Sequence, residues 1–418
     1  MSDQWDSQWS TDRHEPIAVG PPRRRMNRAE RARARRMARR RRTFTILAVA
    51  TLVVVVVGAV FVGSRMWHNM FGSGGDFAGE GVDDVVIEVH SGDTTTAIGQ
   101  TLQQSNVVSS SKTFVEAAAT NPAIAAIQPG FYKVRTEIPA ANAVERLADP
   151  ANRVGQLVIP EGRQLDDVAD VKTDAVTEGI LTLISQASCV DLNGTRECVS
   201  AEDLKRAAGS ADPATLAVPP WANPGLEAMG DDHRRLEGLI AAGSWNVDPS
   251  GSPESILAGL IRSSTATYEA NGLLDAATTA NITPYQVLVV ASLVQRESKP
   301  QDFSKVARVI YNRLAENRKL EFDSTVNYSL DRTEVATTDA DRARITPWNT
   351  YASLGLPKTP ICSPGAPAVV AAENPAIGDW LYFVTIDLQG TTNFTRDYDE
   401  HLANIEIARR NGVLDSAR

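Results

Sequence analysis

The sequence predicts an α+β protein carried on one N-terminal membrane-spanning helix. Two observations set the membrane part: a sharp division of charge, and an uncharged run beside it. A third sets the rest, because short alternating strands interleave with helix-period segments after residue 84. With 43% hydrophobic and 22% charged residues over 418 positions, the chain is too apolar for a disordered protein and long enough for a large core. Only 28 Gly and 3 Cys also exclude collagen-like and disulfide-framework chains.

The net charge of −9 conceals the division. Residues 1–42 hold 13 Arg against 5 Asp or Glu, whereas the remainder holds 29 Lys or Arg against 46 Asp or Glu. An acidic body argues against a nucleic-acid enzyme, whose basic surface would lie on the folded part. Thr43–Gly63 is 21 residues without a charge. As a helix it would be roughly 30 Å long, about the thickness of the hydrocarbon core. A cleaved signal peptide fits less well, because bulky Met66-Trp67-His68 follows the run where small residues would be needed. Twelve Arg between Arg23 and Arg42 place the N-terminus in the cytoplasm and the rest outside. The expectation is a single-pass protein of the cell membrane, with the bilayer as a partner and no nucleic acid.

Six segments are expected: a cytoplasmic Arg-rich tail at 1–42, the transmembrane helix at 43–63, a Gly-rich linker at 64–84, a small α+β module at 85–150, a connecting region at 151–281, and a catalytic domain at 282–418. In the small module Val85, Ile87 and Val89 alternate with Val86, Glu88 and His90 as in a strand. Thr94 to Gln104 reads as a helix, a second starts at a Ser cap near Ser109–Ser111, and Gly130–Val134 returns as a strand. Leu157-Val158-Ile159 is a strand ended by Pro160 and Gly162, and 200–235 reads as an irregular Ala/Pro-rich insertion. Cys189 and Cys198 flank a turn-like Asp-Leu-Asn-Gly stretch and are free to pair outside the cell, leaving Cys362 over. The five His are scattered, so neither a metal nor a cofactor is expected.

Chemistry concentrates after Ile282. Thr283-Pro284-Tyr285-Gln286 combines an N-cap Thr, Pro at the first helical position and a capping-box Gln. The helix should end near Lys299-Pro300, because a residue before Pro avoids the α region. Val290, Leu293, Val294 and Glu297 fall at i, i+3, i+4 and i+7, so the helix's lone acid sits on an apolar face. The plain reading is a carboxylate that reaches water or pairs with Arg296 or Arg313. The functional reading is a general acid, since burial and a helix C-terminus both disfavour the anion. A following helix, Phe303–Asn317, has Val306, Ile310 and Leu314 in register to pack on the first.

Ala291–Ser298, Val306–Leu314 and Leu320–Val326 resemble consecutive motifs of the YceG-like endolytic murein transglycosylases (the MltG family). The likeness continues through Asn349-Thr350-Tyr351, Gly355-Leu356-Pro357, Pro360-Ile361, Pro364-Gly365, Leu381–Val384, Phe394-Thr395 and His401. It implies a LysM-like module at 85–150 and a mixed α/β catalytic domain whose glutamate helix is lysozyme-like. It also implies that Glu297 is the catalytic glutamate. Because a polyhydroxylated glycan calls for aromatic, amide and hydroxyl contacts, Asp323, Thr325, Asn349 and Tyr351 are candidate substrate-binding residues. Leu236-Glu237-Gly238 resembles the start of a further family motif, but Ala241–Trp245 departs from its continuation.

The implied activity is endolytic cleavage of the MurNAc–GlcNAc bond of nascent glycan strands with 1,6-anhydro ends, terminating elongation. Glycan strands are then the substrate and peptidoglycan synthases possible partners. One cycling Glu suffices for that reaction, whereas most glycosidases need two carboxyl groups. Two alternatives stay open: a hydrolase giving reducing ends, with Glu321 or Asp323 as second carboxylate, and a non-catalytic wall-binding membrane protein. Asp323 begins Asp-Ser-Thr, which often only caps a helix or turn. Tyr311, Asn312 and Tyr382 are further polar candidates for a glycan cleft, each equally suited to a core or turn, and His401 reads as a structural histidine.

Overall fold

The structure is a computed structural model that describes residues 75–170, 173–330, 332–333 and 337–413. The expected cytoplasmic tail, transmembrane helix and first part of the linker lie outside the described residues. Among the described residues no helix is long and apolar enough to cross a membrane. From Gly75 onward the linker is docked: Asp76 Oδ2 accepts the Ala140 amide at 2.8 Å, and Val82 N–H donates to the Thr136 carbonyl at 3.0 Å.

The architecture is mixed α and β, with helices around small sheets. β1 (Asp84–Val89), α1 (Thr95–Gln104), α2 (Ser111–Thr120) and β2 (Gly130–Arg135) form the expected strand–helix–helix–strand unit. Thr94 and Ser110 supply the two N-caps, accepting from Ala97 and Thr113 amides, each worth about 1 kcal/mol. β1 and β2 pair antiparallel from Asp84↔Arg135 to Val89↔Gly130. α3 (Ala140–Ala148) covers them, and β3 (Arg153–Val154) extends the sheet beside β2. Ile87, Leu102, Val107, Phe114, Val134 and Leu147 close a small core of their own.

A second core runs from Leu157 to Ala372, so the 151–281 stretch and the domain after it share one interior. β4 (Gln156–Ile159) pairs antiparallel with a later strand. α4 (Ile180–Ala187) leads into the hairpin of β5 (Val190–Leu192) and β6 (Thr195–Glu197), closed by the Cys189–Cys198 disulfide. Cys362 is free and buried.

The stretch 200–235 is not irregular as expected. Ser200 caps α5 (Ala201–Ser210), whose Leu204, Ala207 and Ala208 are buried, and Leu216 and Leu226 join them. Its Ala content serves close helix packing, a use that composition alone does not separate from loop.

β7 (Gly243–Asn246) is the partner of β4. Then come α6 (Pro253–Ala270), α7 (Leu273–Ala280), α8 (Pro284–Glu297) and α9 (Phe303–Ala315). The short α10 (Asp323–Asn327), then α11 (Ala366–Glu373), the β8 (Tyr382–Thr385)–β9 (Thr392–Thr395) pair and α12 (Tyr398–Arg410) complete the chain. The capping box of α8 forms as read, with Thr283 and Gln286 satisfying each other's amides at 3.2 and 2.9 Å. The apolar stripe of α8 is a correction in degree. Every residue from Val287 to Val294 is buried, so the helix is a core rod enclosed on all sides.

Candidate active site

Glu297 is the last residue of α8, where this buried rod reaches the edge of the core. Three contacts fix that end. Ser292 Oγ accepts the Ile361 amide at 3.0 Å and donates to Val289 carbonyl at 2.7 Å. Gln295 Oε1 accepts the Gly365 amide at 2.9 Å. The turn Pro160-Glu161-Gly162-Arg163 is clipped to the same segment, Gly162 N–H donating to Ser363 carbonyl at 2.8 Å and Ser363 N–H to Arg163 carbonyl at 2.7 Å. Gly365 is needed there, because a Cβ would lie 2.2 Å from the Glu161 carboxyl carbon.

Burial is the largest influence on the Glu297 carboxyl and pushes its pKa up to about 7; the Asp323 carboxylate nearby raises it too, while Ser324 and Arg296 favour the anion. Arg313, one of the partners expected on plain grounds, is elsewhere. Its guanidinium donates to the Leu381 and Leu320 carbonyls at 2.7 and 2.8 Å and meets Glu321 at 3.5 Å. Glu297 is thus a carboxyl kept substantially protonated near neutral pH.

α10 brings the opposing groups. Asp323 is in its first turn but is not its cap; Phe322 holds that position. The Asp323 carboxylate meets Arg342 at 3.1 Å and accepts from Thr337 Oγ1 at 2.7 Å and Tyr351 hydroxyl at 2.8 Å, with Arg342 over the Tyr351 ring at 4.9 Å. The other two candidates brace this arrangement. Thr325 is fully buried, its hydroxyl engaged by Phe322 carbonyl and Thr350. Asn349 is 1% exposed; its amide nitrogen donates to the Asp341, Arg342 and Arg344 carbonyls, and its oxygen accepts the Tyr351 and Ala352 amides. Thr325 and Asn349 thus spend these polar atoms on contacts within the protein. The Tyr311 hydroxyl and the Asn312 amide nitrogen are spent on backbone carbonyls of 372, 378 and 380, and Arg318 donates to the Tyr382 hydroxyl. His401 stacks on the Tyr382 ring at 5.0 Å.

Two further buried polar groups near α10 were not singled out in the sequence. Ser324 Oγ is buried beside Glu297, and its hydroxyl and backbone amide favour the Glu297 anion; its place inside the Asp-Ser-Thr motif was the available signal. Glu237 is wholly buried, accepting the Tyr328 hydroxyl at 2.7 Å and the Leu165 amide at 3.1 Å on one oxygen. It lines a cavity of about 330 Å³ with Asp166, Lys205 and Arg234. A second cavity, of about 250 Å³, lies between the 161–168 segment and Arg296, the neighbour of Glu297.

Residues 87–407 match the YceG-like family. This chain belongs to the YceG-like family. Among relatives, the endolytic murein transglycosylase of Bacillus subtilis (strain 168) is 25% identical over 323 residues, covering 76% of this chain and 82% of that protein. The endolytic murein transglycosylase of Streptococcus pneumoniae (strain ATCC BAA-255 / R6) is 24% identical over 335 residues, and the match spans 77% of this chain but 58% of the relative. The crystal structure of a YceG-like protein from Listeria monocytogenes gives a TM-score of 0.49 at 21% identity, covering 77% of this chain and 98% of that one. The YceG-like match takes in both cores, so in this family member the small module and the glutamate helix fall within one matched span.

Proposed function

We propose that this chain is a membrane-anchored endolytic peptidoglycan lytic transglycosylase, a lyase with Glu297 as its catalytic acid and base. The observation that carries the reading is Glu297 itself: a carboxyl at the end of a core helix, its pKa raised to about 7 and its surroundings polar on the α10 side. The endolytic murein transglycosylase names of the relatives support the substrate class.

In this mechanism Glu297 gives its proton to the oxygen of the MurNAc–GlcNAc bond, and the bond from that oxygen to MurNAc C1 breaks. The carboxylate left behind takes the proton of the muramic C6 hydroxyl, whose oxygen bonds to C1. The 1,6-anhydro ring forms, Glu297 is protonated again, and no water is consumed. Desolvation serves the first step by keeping the proton available, and Ser324 and Arg296 serve the second by easing the anion. The small module is taken as a LysM-like wall contact. The Thr43–Gly63 span holds the catalytic part outside the cell membrane, near synthases whose strands it would terminate.

Muropeptide mass spectrometry after digestion of uncrosslinked glycan with the full-length chain tests this. Anhydro-MurNAc ends are expected, and reducing ends would replace the reading with the hydrolase. That second reading has Asp323 in its favour, since it faces the same acid. Against it, Asp323 is already engaged by Arg342, Thr337 and Tyr351. No cleavage at all would leave a non-catalytic wall-binding protein. For the anchor, a reporter fused after Arg418 that works only in the cytoplasm should be silent.

A further inference from the structure

The cavity of about 250 Å³ lined by Arg296, the chain neighbour of Glu297, holds a second guanidinium that the reaction above does not use. Arg163 and Arg296 both line it. Arg163 spends one nitrogen on the Glu178 carbonyl at 2.8 Å, and Arg296 is exposed at the end of α8. Among the described residues neither guanidinium has a carboxylate within salt-bridge distance. Of the two acids in the wall, Asp166 is already engaged by Lys205 at 3.0 Å and His233 at 2.7 Å. Glu161 is the other, at the exposed rim over Gly365. With Asp166 engaged, two guanidinium groups face the one remaining wall carboxylate, Glu161, and leave the cavity with a cationic surplus; one of them adjoins Glu297 in the chain.

A guanidinium presents a fork of donors that matches a carboxylate in two-point contact. The glycan backbone is neutral at GlcNAc. Its muramic residues carry a peptide through a lactyl group, and that peptide bears free carboxylates. The muramic sugar whose C1–O bond breaks must sit at Glu297, so its peptide leaves the sugar next to the glutamate. Accepting the lytic transglycosylase reading, we infer that Arg163 and Arg296 form a carboxylate-binding subsite for the stem peptide of the muramic residue being cut. The enzyme thereby distinguishes peptide-bearing strands from naked glycan.

Two measurements on the full-length chain test it, and the first does not depend on turnover. Calorimetric titration with a muramyl peptide carrying a free α-carboxylate, and with its carboxamide counterpart, should show the acid bound about tenfold more tightly. Arg163→Gln and Arg296→Gln should each erase that preference. Equal affinity for acid and amide in the unaltered chain, or a preference that survives both substitutions, overturns the subsite. The second measurement compares cleavage of uncrosslinked peptidyl strands with the same strands stripped by an amidase. Arg163→Gln should raise KM about tenfold on peptidyl strands and leave naked strands unchanged, whereas an equal rise on both overturns the inference. If the unaltered chain cuts neither substrate, the transglycosylase reading falls while the titration still decides the subsite.

Discussion

Two glutamates flank opposite ends of one short helix and differ in what surrounds them. Glu297 lies against Ser324, in the first turn of α10, and Glu237 accepts from Tyr328, the residue that ends it. Burial pushes both carboxyls up to about 7. Glu237 is 0% exposed and is tied to the Leu165 amide and the Tyr328 hydroxyl, joining the 161–168 wall to α10. Glu297 is only partly buried, opens toward the polar side of α10, and has beside it a serine hydroxyl with no other bond. A raised pKa alone therefore does not mark a catalytic acid. The same shift accompanies a fully bonded brace in one place and, in the proposed mechanism, a proton donor in the other, and the difference is access.

Glu297→Gln breaks the comparison on the reactive side and should have the largest effect. Loss of the general acid costs about 10²–10⁴ in rate, or more where one group serves both steps. Stability should move the other way. The carboxyl's folded pKa lies above its ordinary 4.5, so its contribution is fully present below about 4.5 and is lost as pH rises through about 7. Gln removes that loss, a gain on the order of 3 kcal/mol above pH 7. Denaturant melts at pH 5 and pH 8 should show the variant level with the parent at the first and more stable at the second. For the unaltered chain, kcat should fall about tenfold per pH unit above about 7, as the proton to be donated is lost. A rate that is flat to pH 9 would place the acid elsewhere.

Glu237→Ala breaks the other side. It leaves the Tyr328 hydroxyl and the Leu165 amide unpaired in the interior, which should cost about 3–5 kcal/mol by chemical denaturation. Glu237→Gln keeps an acceptor and should recover most of it, while activity keeps its pH profile. A shift of that profile with Glu237→Gln would mean that the two carboxyls titrate together and that the brace is part of the chemistry.

The two glutamates also differed in how readable they were. Glu297 announced itself because Thr283, Pro284 and Gln286 define the helix start and Pro300 its end, leaving one acid at a fixed distance along an apolar run. Those are local rules, and α8 obeys them to the residue. Glu237 sits in a loop with no period, and its partners Leu165 and Tyr328 are 72 and 91 residues away, a relation set by tertiary packing. The same limit explains Thr325 and Asn349: their motif identity was legible, but their burial depends on the loop at 341–352 folding over α10. Likewise α5 was missed because Ala207 and Ala208 look like loop until Leu204 is seen packed beneath them.

The Cys189–Cys198 hairpin sharpens the contrast between local and distant order. The disulfide closes a local loop with a sequence separation of 9, worth about 2–3 kcal/mol by loop-closure entropy. Its tip, however, docks on the small module: Asn193 and Asp84 exchange bonds at 2.8 and 3.0 Å, and Lys133 donates to the Asp191 carbonyl at 2.5 Å. Cys189→Ser with Cys198→Ser should lower stability by that amount and speed amide exchange of β1 as well as of the hairpin. Protection unchanged at Asp84 would show that the docking survives without the bond.

Asp323→Asn should have the smallest effect and discriminates most finely. If one cycling glutamate performs both proton transfers, Asp323 acts only as a like charge that helps hold the Glu297 proton. Its carboxylate is also partly exposed in its pair with Arg342, so removing it should cost at most about 1 kcal/mol of stability. Removing the charge should let the Glu297 pKa slip downward. The upper limb of the pH–rate profile then moves to lower pH, and activity drops a few-fold at pH 8 while staying near parental at pH 6. A second carboxylate that activates water or attacks the sugar predicts something different in kind, a loss of about 10²–10⁴ at every pH. A uniform collapse of rate, with reducing ends from the unaltered chain, would make Asp323 a reacting group and the enzyme a hydrolase. A displaced limb with anhydro ends intact would leave Glu297 as the one carboxyl that does the chemistry.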